Sequence, residues 1–226
     1  MKILALDTST EYCSAALWID GEVTERDVRA GQKHSELLLG MIDALLRESA
    51  IALRDLDGIA YGEGPGSFTG LRIACGVVQG LAFGADLPVV GVGTLLAMAA
   101  GTRAERVVCC LDARMHEVYH AAYEKHGAIW RTVHEPSVCA PDAAPALDGT
   151  GWLACGSGFA AYGEALAARY AGQLDATEPE CYPHARDIAT LALVRFENRD
   201  TAAAEHAAPV YVRNKVALRS DERATR

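Results

Sequence analysis

The stretch Gly64-Pro65-Gly66-Ser67-Phe68-Thr69-Gly70-Leu71-Arg72 constrains the backbone more than any other part of this chain. A strand-like run, Ile59-Ala60-Tyr61-Gly62, enters it, and an apolar helical pattern leaves it. Pro65 fixes its own φ between two glycines that adopt conformations other residues avoid, so the connection is tight and stiff. Ser67 has the side chain to cap the N–H groups of the following helix. A glycine-lined helix N-terminus also suits an anion. The spacing is not that of a P-loop, however, and no lysine follows Gly70. The residues predict a sharp strand-to-helix turn, with phosphate binding as the alternative.

In the helix itself, Gly76, Gly80 and Gly84 fall at i, i+4 and i+8 and share one face. Each glycine costs about 1 kcal/mol of helix stability relative to alanine. Such a stripe is tolerated where another backbone approaches closely. Leu71, Ile73, Val77, Val78, Leu81 and Phe83 cover most of the remaining circumference, and the helix is expected to be too short and too glycine-rich to span a membrane. A second helix, from about Ser35 to Ser49, carries Leu37, Leu38, Leu39, Met41, Ile42, Leu45 and Leu46. That set is wider than the roughly 100° stripe of a one-sided surface helix. Leu38, Met41 and Leu45, with Leu71, Gly76, Val77 and Gly80, are therefore the candidate contacts with a second subunit. Deep burial in a single chain is the alternative. Met41 suits a surface that accepts more than one partner, because thioethers pack adaptably.

The chain repeats itself. Ile3 to Leu6 is an apolar strand ending at Asp7; Ser14–Ile19 and Glu22–Val28 follow as strands joined by an Asp20-Gly21 hairpin turn. In the second half Val107–Leu111 ends at Asp112, and Val118–Tyr123 and Ile129–Val133 flank His126-Gly127. Asp7 precedes its turn glycine by 14 residues and Asp112 precedes its own by 15. Further strands are expected at Val89–Val92, near Leu153 and at Val210–Val212, with helices near Phe159–Tyr170 and Ile188–Glu197. The pattern predicts a duplicated α/β architecture of the actin-like, Hsp70-ATPase (ribonuclease H-like) class, two mixed-sheet halves flanked by helices. Residues 1–103 form the N-terminal half, with the candidate partner-binding helices, and 104–218 the C-terminal half; 219–226 are expected to fray.

In that class a nucleotide sits between the halves, held by the first turn of each. Asp7, Thr8 and Asp112 are accordingly the residues of a possible weak nucleotide cleft. Neither turn carries a glycine, and Arg114 and Met115 stand where a phosphate needs room. Ser67 and Thr69 have no histidine or lysine base placed beside them by motif, so the Gly64-Pro65-Gly66-Ser67 loop is read as structural.

Composition narrows the remaining classes. Half of the 226 residues are hydrophobic and 23% are charged, as in ordinary globular proteins. The opening residues reach Asp7 too soon for a signal peptide, and no membrane segment is expected. The seven cysteines are scattered without a CxxC, which suits reduced thiols in a cytoplasmic protein. A net charge of −9 disfavours independent binding to nucleic acid, although Arg213, Lys215 and Arg219 form a local basic group. His116 and His120 share a His-x-x-x-His spacing, but in a strand they stand roughly 13 Å apart and cannot hold one ion. No metal and no cofactor are expected.

The Gly64–Ile73 segment, Asp112-Ala113-Arg114-Met115-His116-Glu117-Val118-Tyr119, the opening Leu4–Ser9 and the closing Pro209–Lys215 together resemble the TsaB (YeaZ) family. The resemblance runs from near the first residue to about Ala217. It implies a non-catalytic, dimer-forming scaffold. The implied partners are a TsaD-like transferase and a TsaE-like ATPase, and the implied pathway is threonylcarbamoylation of N6 of adenosine 37 in tRNA. The tRNA would be met only through the complex, and a homodimer is also possible. TsaD-like chains carry a His-x-x-x-His metal pair after the strand that follows the glycine helix; Thr94 and Met98 stand at those ends here. The rival readings are an ATPase or small-molecule kinase working in the cleft, and a metallopeptidase.

Overall fold

The computed structural model describes residues 1–213, so Lys215, Arg219 and the expected 219–226 tail lie outside the described residues. The order is β1 (Lys2–Asp7), β2 (Tyr12–Ile19), β3 (Glu22–Arg29), α1 (His34–Glu48), β4 (Gly58–Gly64), α2 (Phe68–Ala85), β5 (Val89–Gly93) and α3 (Thr94–Gly101). It continues through β6 (Arg106–Asp112), β7 (Val118–His126), β8 (Ile129–Cys139), β9 (Trp152–Cys155), α4 (Ser157–Ala161), α5 (Gly163–Arg169), β10 (Leu174–Glu178) and α6 (Ala185–Glu197).

The strands form two five-stranded mixed sheets, β3-β2-β1-β4-β5 and β8-β7-β6-β9-β10. In each, the first three strands are antiparallel neighbours and the last two join in parallel. The duplication expected from the sequence is therefore present strand for strand. The β2–β3 turn has positive φ at both Asp20 (48°) and Gly21 (106°), as a two-residue hairpin requires.

Alternation along β1 sorts its side chains. Leu4 and Leu6 join Leu38, Ile42 and Leu45 of α1 and Ala74, Cys75 and Val78 of α2 on one face. Ile3 and Ala5 meet Ile188, Ala189 and Ala192 of α6 on the other. The second half of the sequence thus lends its last helix to the first sheet. Between the sheets, α3 faces both ways: Ala97 packs with the first, and Leu95, Met98 and Ala99 pack with Val107, Cys109 and Tyr123 of the second.

Three expectations are corrected. Val210–Val212 forms no strand; it is an extended strap whose Val210 N–H donates to Glu63 O at 2.7 Å. The helix expected near Phe159–Tyr170 is broken into α4 and α5 at Tyr162, where φ swings to −133°. By length and mean hydropathy alone (18 residues, 1.3), α2 meets a membrane-span criterion. It lies instead along the first sheet, with Leu71, Ala74, Cys75, Val78 and Ala82 in the core.

The glycine-rich turn shows why it needs glycine. A Cβ on Gly70 would fall 1.9 Å from Thr8 O, one on Gly66 would fall 2.5 Å from Ser9 O, and Gly64, at φ 115°, would meet Val210 O at 2.7 Å. Three backbones converge there, and Ser67 N–H donates to Ser9 O at 2.7 Å. Gly76, Gly80 and Gly84 are the opposite case, since a Cβ on any of them would meet nothing. Gly70→Ala should therefore destabilise the fold by about 3 kcal/mol, at the upper end of overpacking costs. Gly76→Ala should stabilise the isolated chain by up to about 1 kcal/mol. Chemical denaturation of the two variants checks both signs.

Candidate functional site

Two features meet at the N-terminal end of α2. One is the outer face of α1 and α2; the other is a cleft of about 850 Å³ between the halves. On the outer face Gly76, Gly80 and Gly84 are exposed, beside Phe83, which is 80% exposed. Ile73, Val77 and Leu81 are half-buried; on the neighbouring α1, Met41 and Leu39 flank the buried row on opposite sides, Met41 half-buried and Leu39 53% exposed. The expected contact set is thus split. Gly76, Gly80, Val77 and Met41 reach the surface. Leu38, Leu45 and Leu71 are 0%, 0% and 1% exposed and belong to the core, because the row facing the sheet runs through them. Phe83 and Leu39, which the expected set left out, are more exposed than any apolar member of it, and Phe83 stands three residues after Gly80 and next to Gly84. Nothing among the described residues explains three glycines on an open helix face, which together cost about 3 kcal/mol of helix stability.

The cleft is lined by Ser67, Phe68, Thr69, Asp112, Arg114 and Arg213, among others. Ser67 caps α2, accepting from Gly70 N–H at 3.3 Å, so the capping expectation holds. Asp7 and Thr8 do not line the cleft, which corrects their assignment to it. Thr8 is fully buried and its hydroxyl donates to Gly70 O at 2.7 Å. Asp7 follows Ile3 and Ala5 onto the α6 face. Its Oδ1 accepts from Ser9 N–H (2.9 Å) and Ser9 Oγ–H (2.8 Å), and Oδ2, packed above Gly62, has no partner.

Asp112 does reach the cleft but is engaged. Its carboxylate accepts from Arg114 N–H (2.8 Å), Arg114 Nη1–H (2.8 Å) and Tyr162 O–H (3.2 Å). Arg114, Met115 and His116 all have left-handed backbones, at φ 61°, 55° and 60°. Such a conformation costs a non-glycine residue roughly 1–2 kcal/mol. The turn is held from below by Arg213, which donates to Ala113 O at 2.9 Å and pairs with Glu117.

The histidines do not converge. His116 is exposed in the turn, while His120 is fully buried in β7 with both ring nitrogens unpartnered. Burial pushes the His120 pKa down to about 4, so it is neutral. Thr94 and Met98 are both fully buried in α3. Among the described residues, Glu25, Asp27 and His184 have the spacing of metal ligands. Glu25 is already taken by Arg186, whose N–H and Nη1–H both donate to it at 3.2 Å, which makes the group an ion-pair anchor for the start of α6.

Burial raises the Asp7 carboxyl pKa from 3.8 to about 6. The folded chain therefore keeps that proton where the unfolded chain has lost it, and stability falls as pH rises from about 4 to 6. Asp7→Asn should be more stable than wild type by about 2–3 kcal/mol at pH 8, with the difference vanishing below about pH 4. Denaturation midpoints at the two pH values check the sign.

Comparison with known proteins places the chain in a family. Residues 27–220 match the family model described as TsaD, tRNA N6-adenosine threonylcarbamoyltransferase. The chain is 40% identical to the Escherichia coli tRNA threonylcarbamoyladenosine biosynthesis protein TsaB, over 96% of each. It is 38% identical to the Haemophilus influenzae protein of the same name, over 96% of this chain and 95% of that one. The solved structure of YeaZ from Pseudomonas aeruginosa superposes with a TM-score of 0.86 at 38% identity, covering 93% of this chain and 99% of that one. On these matches, and on the doubled sheet and glycine-lined turn, the chain belongs to the TsaB (YeaZ) family.

Proposed function

We propose that this chain is a non-catalytic subunit of the machinery that places threonylcarbamoyl on N6 of adenosine 37 in tRNA. It works with a TsaD-like transferase and a TsaE-like ATPase in the cytoplasm. The observation that carries the reading is the outer face of α2, where three exposed glycines lie beside Phe83, with Leu39 exposed on the neighbouring α1. Glycines in that position weaken the helix and lower its profile, so their gain comes when a partner's helix packs on them. Two helices approach most closely where both present small side chains, and a protruding phenylalanine supplies buried area. The same face serves a second copy of the chain when the transferase is absent.

The non-catalytic part of the reading rests on the cleft. Asp7 is turned inward, Asp112 is neutralised by Arg114, and buried Thr94 and Met98 offer no imidazole pair. An ATPase or kinase needs a carboxylate free to hold magnesium; here Asp7 is buried and Asp112 is paired with Arg114.

Reconstituted tRNA modification, with the adenylate donor, the transferase and the ATPase, tests the reading directly. Omitting this chain should abolish most of the product, and the chain alone should make none. Gly80→Leu should keep or raise the melting temperature while weakening association with the transferase by about tenfold or more, equivalent to 1.4 kcal/mol. Product formed equally well without the chain contradicts the reading.

A further inference from the structure

The mouth of the cleft gathers exposed aromatic and cationic groups. Phe68 is 38% and Tyr211 43% exposed, with ring centroids 5.5 Å apart. The Arg72 guanidinium lies 3.9 Å from the Phe68 ring centre, and its Nε–H donates to the Tyr211 hydroxyl at 3.1 Å. That arrangement fixes a planar cation on a two-ring shelf and leaves its terminal nitrogens unused among the described residues. From the second half, the left-handed turn extends Arg114, with 85% of its side chain exposed, and Met115, 43% exposed.

Charge at this mouth differs from that of the chain as a whole. The net charge is −9, yet the acids around the cleft are engaged within the chain. Asp112 is held by Arg114 and Tyr162, Glu117 by Arg213, and Glu11 by Tyr182 and Arg29. Among the described residues the terminal N–H groups of Arg72 and Nη2 of Arg114 have no partner. A ligand that suits this mouth is anionic and carries flat groups that stack on rings and guanidinium planes. Unpaired RNA has both properties: its bases stack on aromatic side chains and arginine, and its phosphates accept from guanidinium N–H groups. The cleft volume lies within the range of ligand-binding clefts.

We propose that the chain contacts tRNA directly, through the Phe68–Arg72–Tyr211 shelf and Arg114, at an unpaired segment. The inference rests on the tRNA-modification reading above and extends it, since charge alone implies only an indirect role. The glycine stripe takes a protein partner, and the head of the same helix takes the RNA. The acidic remainder of the chain keeps this contact weak outside the assembled complex.

The test uses the full complex with its transferase, measuring tRNA binding against salt and the KM for tRNA. Arg72→Ala with Arg114→Ala should raise the KM roughly tenfold with little change in kcat, and lower the salt slope by about 1–2. Arg72→Lys should restore the slope without restoring the KM, because lysine keeps the charge but not the stacking plane. Affinity between the two proteins should be unchanged in every variant. A wild-type KM and slope in a complex that still requires the chain overturns this inference and leaves the functional reading standing. Loss of transferase affinity in place of tRNA affinity also overturns it, and assigns the shelf to a protein.

Discussion

Close backbone approach at the Gly64–Gly70 turn is the constraint on which the rest depends. Thr8 and Ser9 reach the turn from β1, Val210 reaches it from the strap, and α2 departs from it. Any side chain at Gly66 or Gly70 would push the β1–β2 connection away, and with it the alignment of α2 on the sheet. The glycines that suggest a phosphate loop are thus consumed by the protein's own backbone. The hydroxyl of Thr8 and the side chain of Ser67, both candidates for ligand chemistry by type, are spent on Gly70.

The strap makes the two halves one unit at the cleft. Ala208 N–H donates to the Tyr61 hydroxyl, Tyr211 takes the Arg72 bond, and Arg213 binds Ala113 and Glu117 in the second half. The proposed partner face of α2 and the shape of the cleft therefore share one connection. The strained turn at Arg114–His116 sits at the far end of it, where strain is affordable because Asp112 and Arg213 hold it from two sides.

Much of this was legible in the sequence. Both sheets follow from the doubled strand–hairpin pattern, because alternation and turn residues report locally on structure. The capping role of Ser67 and the outward glycine stripe follow from spacing alone. What spacing could not decide is which of several apolar rows faces the sheet. Leu38, Leu45 and Leu71 look as free as Met41 and Val77 until the sheet is in place, since all belong to wide apolar helices. Asp7 failed as a cleft residue for a related reason. A strand end offers two faces, and the fully buried row through Ile3 and Ala5 continues to it. The return of α6 to the first sheet is a long-range pairing with no local signal. Nor could the sequence show that Tyr211, distant along the chain, completes a shelf with Phe68 and Arg72.

The central claim is that the outer face of α1 and α2 exists for a partner. Amide hydrogen exchange of the chain, alone and mixed with the TsaD-like transferase, tests it most directly. The account predicts new protection concentrated in residues 68–85 and along the exposed side of 37–44, with the sheet edges β3 and β8 unchanged. Protection confined to those edges, with α2 exchanging as it does in the isolated chain, would contradict it.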